Sequence, residues 1–236
     1  MDLKETQANW DALGASDALY GVLSHDGKRG GKWDEAEFFA TGRAEIEGVL
    51  AQAASHGLGF PRRTALDFGC AVGRLSQALA LHFESVTGVD IAPSMLELAA
   101  RYDKSGGRCR YVLNDSPDLR LFSDGAFDFI YSNIVLQHMA PEFALKYIAE
   151  FVRVLSPGGL LVFQIPERAQ YAALRKALKA LTPKPLLALY RKLRYGQVPA
   201  HEIEMNGVAP AKVAAMIEAA GGRLRHSESG VYWVQK

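Results

Sequence analysis

The chain has 236 residues, 27 Lys+Arg against 26 Asp+Glu, and 49% hydrophobic residues. That length and composition fit one α/β domain with a helical addition, argue against two independent cores or a disordered chain, and give no charge-based reason to expect nucleic acid. Two cysteines, Cys70 and Cys109, are too few for a disulfide framework.

Residues 1–60 read as a helical cap, separate from the sheet. Phe38–Leu50 carries apolar positions at helical spacing, and Gly57 and Gly59 stop that helix before Pro61. Between Leu23 and Trp33 lies a glycine-rich polar loop, expected to be mobile. From about Arg63 strands and helices alternate. Strands are expected near 63–68, 85–89, 109–113, 127–131 and 160–165. Helices are expected near 73–82, 93–101 and 141–155, with Pro93 and Pro141 suited to first turns. This alternation implies parallel pairing through right-handed crossovers, and the run Leu160-Leu161-Val162-Phe163 fits a strand buried on both faces. A helix near 210–220 stops at Gly221-Gly222. Strands at Arg223–Ser227 and Val231–Gln235 then flank a tight turn containing Gly230. The expected organisation is a cap over 1–60 and a core over 61–236, interrupted by a basic insertion at 167–208.

The stretch Ala65-Leu66-Asp67-Phe68-Gly69-Cys70-Ala71-Val72-Gly73-Arg74, continued by Val86-Thr87-Gly88-Val89-Asp90, carries the chemistry. It reads as a buried strand, a glycine turn, a helix, and a second strand ending in an acid. The glycines let a ligand approach the backbone, and the helix presents unpaired N–H groups at its start. Asp90, about 20 residues beyond, is placed to accept from both hydroxyls of a ribose. The third glycine of a dinucleotide G-x-G-x-x-G is absent, which argues against a nicotinamide cofactor. Cys70 either turns its backbone to the ligand or fills a small buried apolar site.

Three further segments extend the pattern. Tyr111-Val112-Leu113-Asn114-Asp115 is a strand ending in an acid, and Gly125–Asn133 is a polar turn leading into a strand. Arg153–Phe163 is a helix end, a Ser-Pro-Gly-Gly turn and another strand. In this order and spacing, residues 60–165 closely resemble the class I S-adenosylmethionine-dependent methyltransferases of the small-molecule type, and the flanking parts resemble them loosely. The resemblance implies a Rossmann-like, doubly wound, mostly parallel seven-stranded sheet with an antiparallel C-terminal hairpin. It also implies S-adenosylmethionine as cofactor and S-adenosylhomocysteine as product.

Carried onto this chain, the resemblance places Gly69, Ala71 and Gly73 beside the methionine and ribose. Asp67 either contacts the cofactor's amino group through water or bonds the N–H groups of the turn. Ala71 stands where relatives commonly carry glycine, and is expected at a negative φ. Arg74 reads as a surface or supporting residue. Ile91 and Met95 are expected near the adenine. Asp115, with the Ser116 backbone beside it, is expected on the adenine amine, and Asn114 is its rival. Asn133 and Ile134 line the methyl-donor end. Arg43 pairs either with the cofactor carboxylate or with a glutamate on its own helix surface.

Transfer from a sulfonium chiefly requires alignment of a nucleophile and exclusion of water. The candidate catalytic residue is His138, in Ile134-Val135-Leu136-Gln137-His138-Met139-Ala140-Pro141, either as general base for a hydroxyl or as a residue that shapes the pocket. Gln137 can orient substrate or cofactor. The other histidines form no metal spacing, and no metal is expected. The expected activity is methyl transfer to a small-molecule acceptor, at a hydroxyl oxygen of a sugar, lipid or natural-product intermediate. The alternatives are a non-catalytic S-adenosylmethionine-binding subunit or sensor, and a nicotinamide-dependent oxidoreductase.

From Arg168 to His201 there are eight Lys/Arg and no Asp/Glu, leaving a net charge of −7 on the rest of the chain. Leucines recurring at three and four residues predict two short amphipathic helices there. These helices close over an acidic substrate, touch an anionic surface, or form a lid with leucines inward and cations in water. The cytoplasm is the expected compartment, since Met1–Thr6 lacks a secretory pattern and no window approaches the roughly 20 apolar residues of a membrane span.

Overall fold

The apolar runs pair into one seven-stranded sheet in a computed structural model that describes residues 3–167 and 205–236. The basic insertion, with its expected helices, lies almost wholly outside the described residues. In chain order the strands are β1 (Thr64–Phe68), β2 (Ser85–Asp90), β3 (Cys109–Leu113), β4 (Phe127–Ser132), β5 (Leu155–Gln164), β6 (Arg223–Glu228) and β7 (Val231–Gln235). Their spatial order is β3-β2-β1-β4-β5-β7-β6. The first five are parallel, while β7 runs antiparallel to both β5 and β6. This is the mostly parallel, doubly wound sheet with a C-terminal hairpin that the sequence predicts. The hairpin turns at Ser229 and Gly230, both at positive φ (50° and 80°), the combination a type I′ turn demands.

Alternation along each strand divides the core between two faces. Leu66, Ile130, Leu161, Phe163 and Val234 meet α5 (Pro141–Val154) and α6 (Pro210–Ala219) through Ile148, Phe151, Val213 and Ile217. Ala65, Phe129, Tyr131, Leu160, Val162 and Trp233 meet α2 (Glu35–Ser55) and α3 (Arg74–Leu79) through Ile46, Leu50, Leu75 and Leu79. Each fully buried large apolar side chain contributes roughly 1.5–3 kcal/mol. The helix expected to stand apart from the sheet is therefore part of its core, because Ile46, Leu50 and Ala53 fall on one face of α2.

The remaining N-terminal helix, α1 (Leu3–Val22), rests on α4 (Pro93–Tyr102). Gln7 donates to the Ile91 carbonyl, and the Asp11 carboxylate accepts from the Ser94 backbone N–H at the start of α4. The glycine-rich loop after α1 is tied down at several points. Asp17 accepts from the N–H of Gly30, Trp33 donates to the Leu23 carbonyl, and Lys28 pairs with Glu37.

One element boundary differs from expectation. Pairing in β5 begins at Leu155, directly after α5, and not at Leu160. Leu155 lies opposite Phe127 and Leu160 opposite Phe129, so Ser156–Gly159 bulge out of register. Asp128 anchors the bulge by accepting from Ser156 Oγ and from the Arg63 guanidinium.

The chain leaves β1 toward β2 and β3, then returns on the other side of β1 to form β4. The carboxyl ends of β1 and β4 thus border the switch point where open α/β sheets bind ligands.

Candidate active site

Above that switch point lies a cleft open to solvent. Its floor is the turn after β1, in which Gly69, Ala71 and Gly73 all have positive φ (78°, 45° and 79°). The negative φ expected of Ala71 is thus corrected. The left-handed conformation costs an alanine roughly 1–2 kcal/mol, and it aims the Ala71 N–H at Asp90 Oδ2, 2.8 Å away. Gly69 and Cys70 donate to the Val89 carbonyl, which stitches the turn to β2. A Cβ on Gly69 would lie 2.3 Å from Val135 Cγ2, and one on Gly73 would lie 2.6 Å from the Tyr111 hydroxyl. Both glycines are required by close packing as well as by φ.

Asp90 closes β2 at the cleft wall. One oxygen accepts from Ala71 N–H and the other from Ala92 N–H at 2.9 Å. A carboxylate offers about four lone-pair sites, so acceptor capacity remains beside these N–H groups for a ligand donor. Burial pushes its pKa upward, opposed by the backbone N–H groups that favour the charged form.

The cleft brings together Gly69, Cys70, Ala71, Asp90, Ile91, Met95, Asn114, Asn133, Ile134 and His138 among the residues predicted for the site. Arg43, Asp67, Gly73, Asp115 and Ser116 are not among its lining. Asp115 is exposed, whereas Asn114 is buried and lines the cleft. The Asn114 amide donates to the carbonyls of Asp118 and Ser116 and to the Tyr147 hydroxyl, which turns its oxygen toward other partners. Asp67 sits beneath the turn at 1% exposure, and its partner is the Ser76 hydroxyl at 2.6 Å rather than the N–H groups of the turn. Desolvation raises its pKa to about 7. Cys70 is buried, and burial pushes its thiol pKa well up, which favours the protonated form over the nucleophilic thiolate.

Sequence reasoning missed a charged pair at the cleft. Arg74 is buried, not at the surface, and donates to Glu45 Oε2 at 2.8 Å and to the Thr41 hydroxyl. Glu45 Oε1 in turn accepts from Asn133 Nδ2 (2.8 Å) and from the Tyr131 hydroxyl (3.0 Å). This one carboxylate therefore joins α2, α3 and the end of β4. Arg43, on the same helix, is exposed, and the salt bridge to Glu45 belongs to Arg74 instead. A signal did exist: Gly42 interrupts a helix where a Cβ would lie 2.5 Å from the Arg74 carbonyl. The other missed contribution is α1, which supplies Leu3, Thr6 and Trp10 to the cleft, with the Trp10 ring edge-on to His138 at 5.4 Å.

Residues 66–163 match the family model described as a methyltransferase domain. That match runs from β1 into β5 and makes this part of the chain similar to methyltransferase domains. Over 156 residues the chain is 31% identical to 2-methyl-6-phytyl-1,4-hydroquinone methyltransferase of Synechocystis sp., covering 65% of this chain and 47% of that protein. Over 142 residues it is 32% identical to malonyl-[acyl-carrier protein] O-methyltransferase of Serratia marcescens, covering 60% of this chain and 51% of that one. The chain thus spans about half the length of these curated relatives. In fold it is similar to magnesium protoporphyrin IX methyltransferase of Synechocystis, solved with bound SAH, at a TM-score of 0.68, 17% identity and full coverage of both chains. The cleft offers a strand-end carboxylate, Asp90, and a backbone turn that ligands can approach. Among the described residues no group of three His, Cys, Asp or Glu is spaced to hold a metal, and no helix is long and apolar enough to cross a membrane.

Proposed function

We propose that this chain transfers the methyl group of S-adenosylmethionine to a hydroxyl oxygen on an apolar small molecule, a lipid or natural-product intermediate rather than a bare sugar. The observation that carries the reading is Asp90, a strand-end carboxylate on the cleft wall, oriented by the backbone N–H groups of Ala71 and Ala92 so that it can accept from ribose hydroxyls. Asn114 supplies an amide oxygen for the adenine amine, taking the part expected of Asp115, and Ile91 and Met95 flank the base. Arg74, paired with Glu45, keeps a buried Nε–H that no acceptor among the described residues takes, a donor for the methionine side of the ligand.

The acceptor end is apolar. Leu3, Trp10, Val22, Ile134 and Met139 line it, and such a surface favours a hydrophobic or aromatic acceptor. Relatives of the chain include O-methyltransferases of ubiquinone biosynthesis, which agrees with oxygen as the attacking atom. When bound, the sulfonium donor supplies an already activated methyl group, so no acid is needed at sulfur. The C–S bond breaks as the O–C bond forms, and the hydroxyl proton leaves to water. The chain's own work is to hold the two reactants in line and to exclude bulk water with α1.

The test is transfer of label from S-[methyl-³H]adenosylmethionine to a panel of prenylated phenols, free sugars and primary amines. Label is expected on the phenols. Transfer to the amines alone would overturn oxygen as the acceptor atom, and transfer to the sugars alone would overturn the apolar acceptor.

A further inference from the structure

His138 ends a chain of side-chain amides whose polarity is set by a backbone group. The chain begins at Ile134, a β-branched residue held at φ 60°, a conformation that such residues adopt only when their surroundings impose it. Its N–H donates to Gln164 Oε1 at 3.3 Å. Gln164 Nε2 then donates to Gln137 Oε1 at 3.5 Å, and Gln137 Nε2 lies 3.3 Å from His138 Nε2. A backbone N–H can only donate, so the Gln164 oxygen must face Ile134 and its NH₂ must face Gln137. The Gln137 oxygen is thereby taken, and its NH₂ is left facing the imidazole. An amide NH₂ can only donate, so His138 Nε2 must accept. Reversing either amide would set donor against donor at Ile134 or within the pair.

The arrangement is supported from outside. Gln137 is buried, and its carbonyl accepts from the Asn206 N–H at 2.7 Å. Asn206 Nδ2 donates to the Met139 carbonyl at 3.0 Å, so the segment before α6 braces the single 3₁₀ turn Leu136–His138 from both sides.

We propose that Gln137 and Gln164 are positioning residues that hold His138 as the Nδ1–H tautomer with its Nε2 lone pair engaged, so that Nε2 is not the base that deprotonates the acceptor. The catalytic meaning rests on the methyltransferase reading above; the tautomer does not. With its lone pair already accepting from Gln137, Nε2 takes a proton only if that contact breaks. This decides between the two roles the sequence leaves open for His138. The chemistry tolerates it, since an activated sulfonium donor needs no strong base when the hydroxyl proton can leave to water. Among the described residues, the other titratable side chains lining the cleft with His138 are Cys70, Arg74, Asp90 and Tyr147.

The test is long-range ¹H–¹⁵N NMR of the full chain labelled on histidine, with the His138 signal assigned by its loss in His138→Gln. At neutral pH the expected signature is a protonated Nδ1 and an unprotonated Nε2. In Gln137→Glu the neighbouring atoms can only accept, so Nε2 must carry a proton. The signal is then expected to become imidazolium, with half-protonation raised by at least about 1 pH unit. An Nε2–H tautomer at His138 in the unsubstituted chain would overturn the proposal. So would a Gln137→Glu spectrum identical to that of the parent. Calorimetry with S-adenosylhomocysteine on the same samples separates the two levels. Binding with the wrong tautomer sinks this proposal alone, and the right tautomer without binding sinks its catalytic meaning.

Discussion

Asp90→Ala is expected to weaken binding of S-adenosylmethionine by about 100- to 1000-fold. Each hydrogen bond to a charged acceptor is worth roughly 1.5–3 kcal/mol, and two ribose hydroxyls lose theirs together. The low end of that range already gives about 3 kcal/mol, or more than 100-fold. The same substitution frees the Ala71 and Ala92 N–H groups, which Asp90 holds at 2.8 and 2.9 Å, so part of the loss comes through the turn. Asp90→Asn keeps one acceptor oxygen for the Ala71 or the Ala92 N–H, its NH₂ opposes the other donor to donor, and a ribose hydroxyl can still accept from that NH₂. An intermediate loss is expected there. Equilibrium dialysis with labelled cofactor reads both variants. Alanine binding within about threefold of the parent would remove Asp90 from the ribose site.

Asp67→Asn is expected to stabilise the cofactor-free protein at neutral and alkaline pH and to do nothing in acid. Asp67 is 1% exposed, and desolvation raises its pKa to about 7 from an ordinary value of 3.8. Between those two values the folded state holds a proton that the unfolded state has released. Stability therefore falls as pH rises through the window from about 4 to about 7, and then levels off. At 1.36 kcal/mol for each pH unit of difference, the ionised carboxylate costs roughly 4 kcal/mol above pH 7. Asparagine never ionises, and its oxygen can still accept from the Ser76 hydroxyl. Urea unfolding at a series of pH values should show two curves that coincide near pH 4 and separate to a plateau above pH 7. A constant difference across the range would mean that the carboxyl is already ionised in the fold.

Much of this fold was legible because its information is local. Leu160–Phe163 reads as a doubly buried strand, Gly230 as a hairpin turn, and Pro93 and Pro141 as first-turn residues, without knowledge of any distant contact. The position of Asp90 was legible for the same reason, as an acid at a strand end at a fixed distance from a glycine turn. What was not legible depended on partners far along the chain. Arg74 is buried only because Glu45, 29 residues earlier, neutralises it, and Glu45 meets Asn133, 88 residues beyond it. The conformation of Ala71 was misjudged because steric preference favours a negative φ. The hydrogen bond to Asp90 and the packing of the turn outweigh that preference by holding the backbone from both sides. Asp115 and Asn114 are adjacent, so a strand ending one residue earlier or later decides which faces the cleft, and sequence patterns place such ends only to within a few residues.

The most direct measurement is a calorimetric titration of the full chain with S-adenosylhomocysteine, beside a parallel titration with NAD. One saturable site per chain for the sulfur nucleoside, and none for the dinucleotide, is the predicted result. No heat from the nucleoside, or tight uptake of the dinucleotide in its place, would contradict the account.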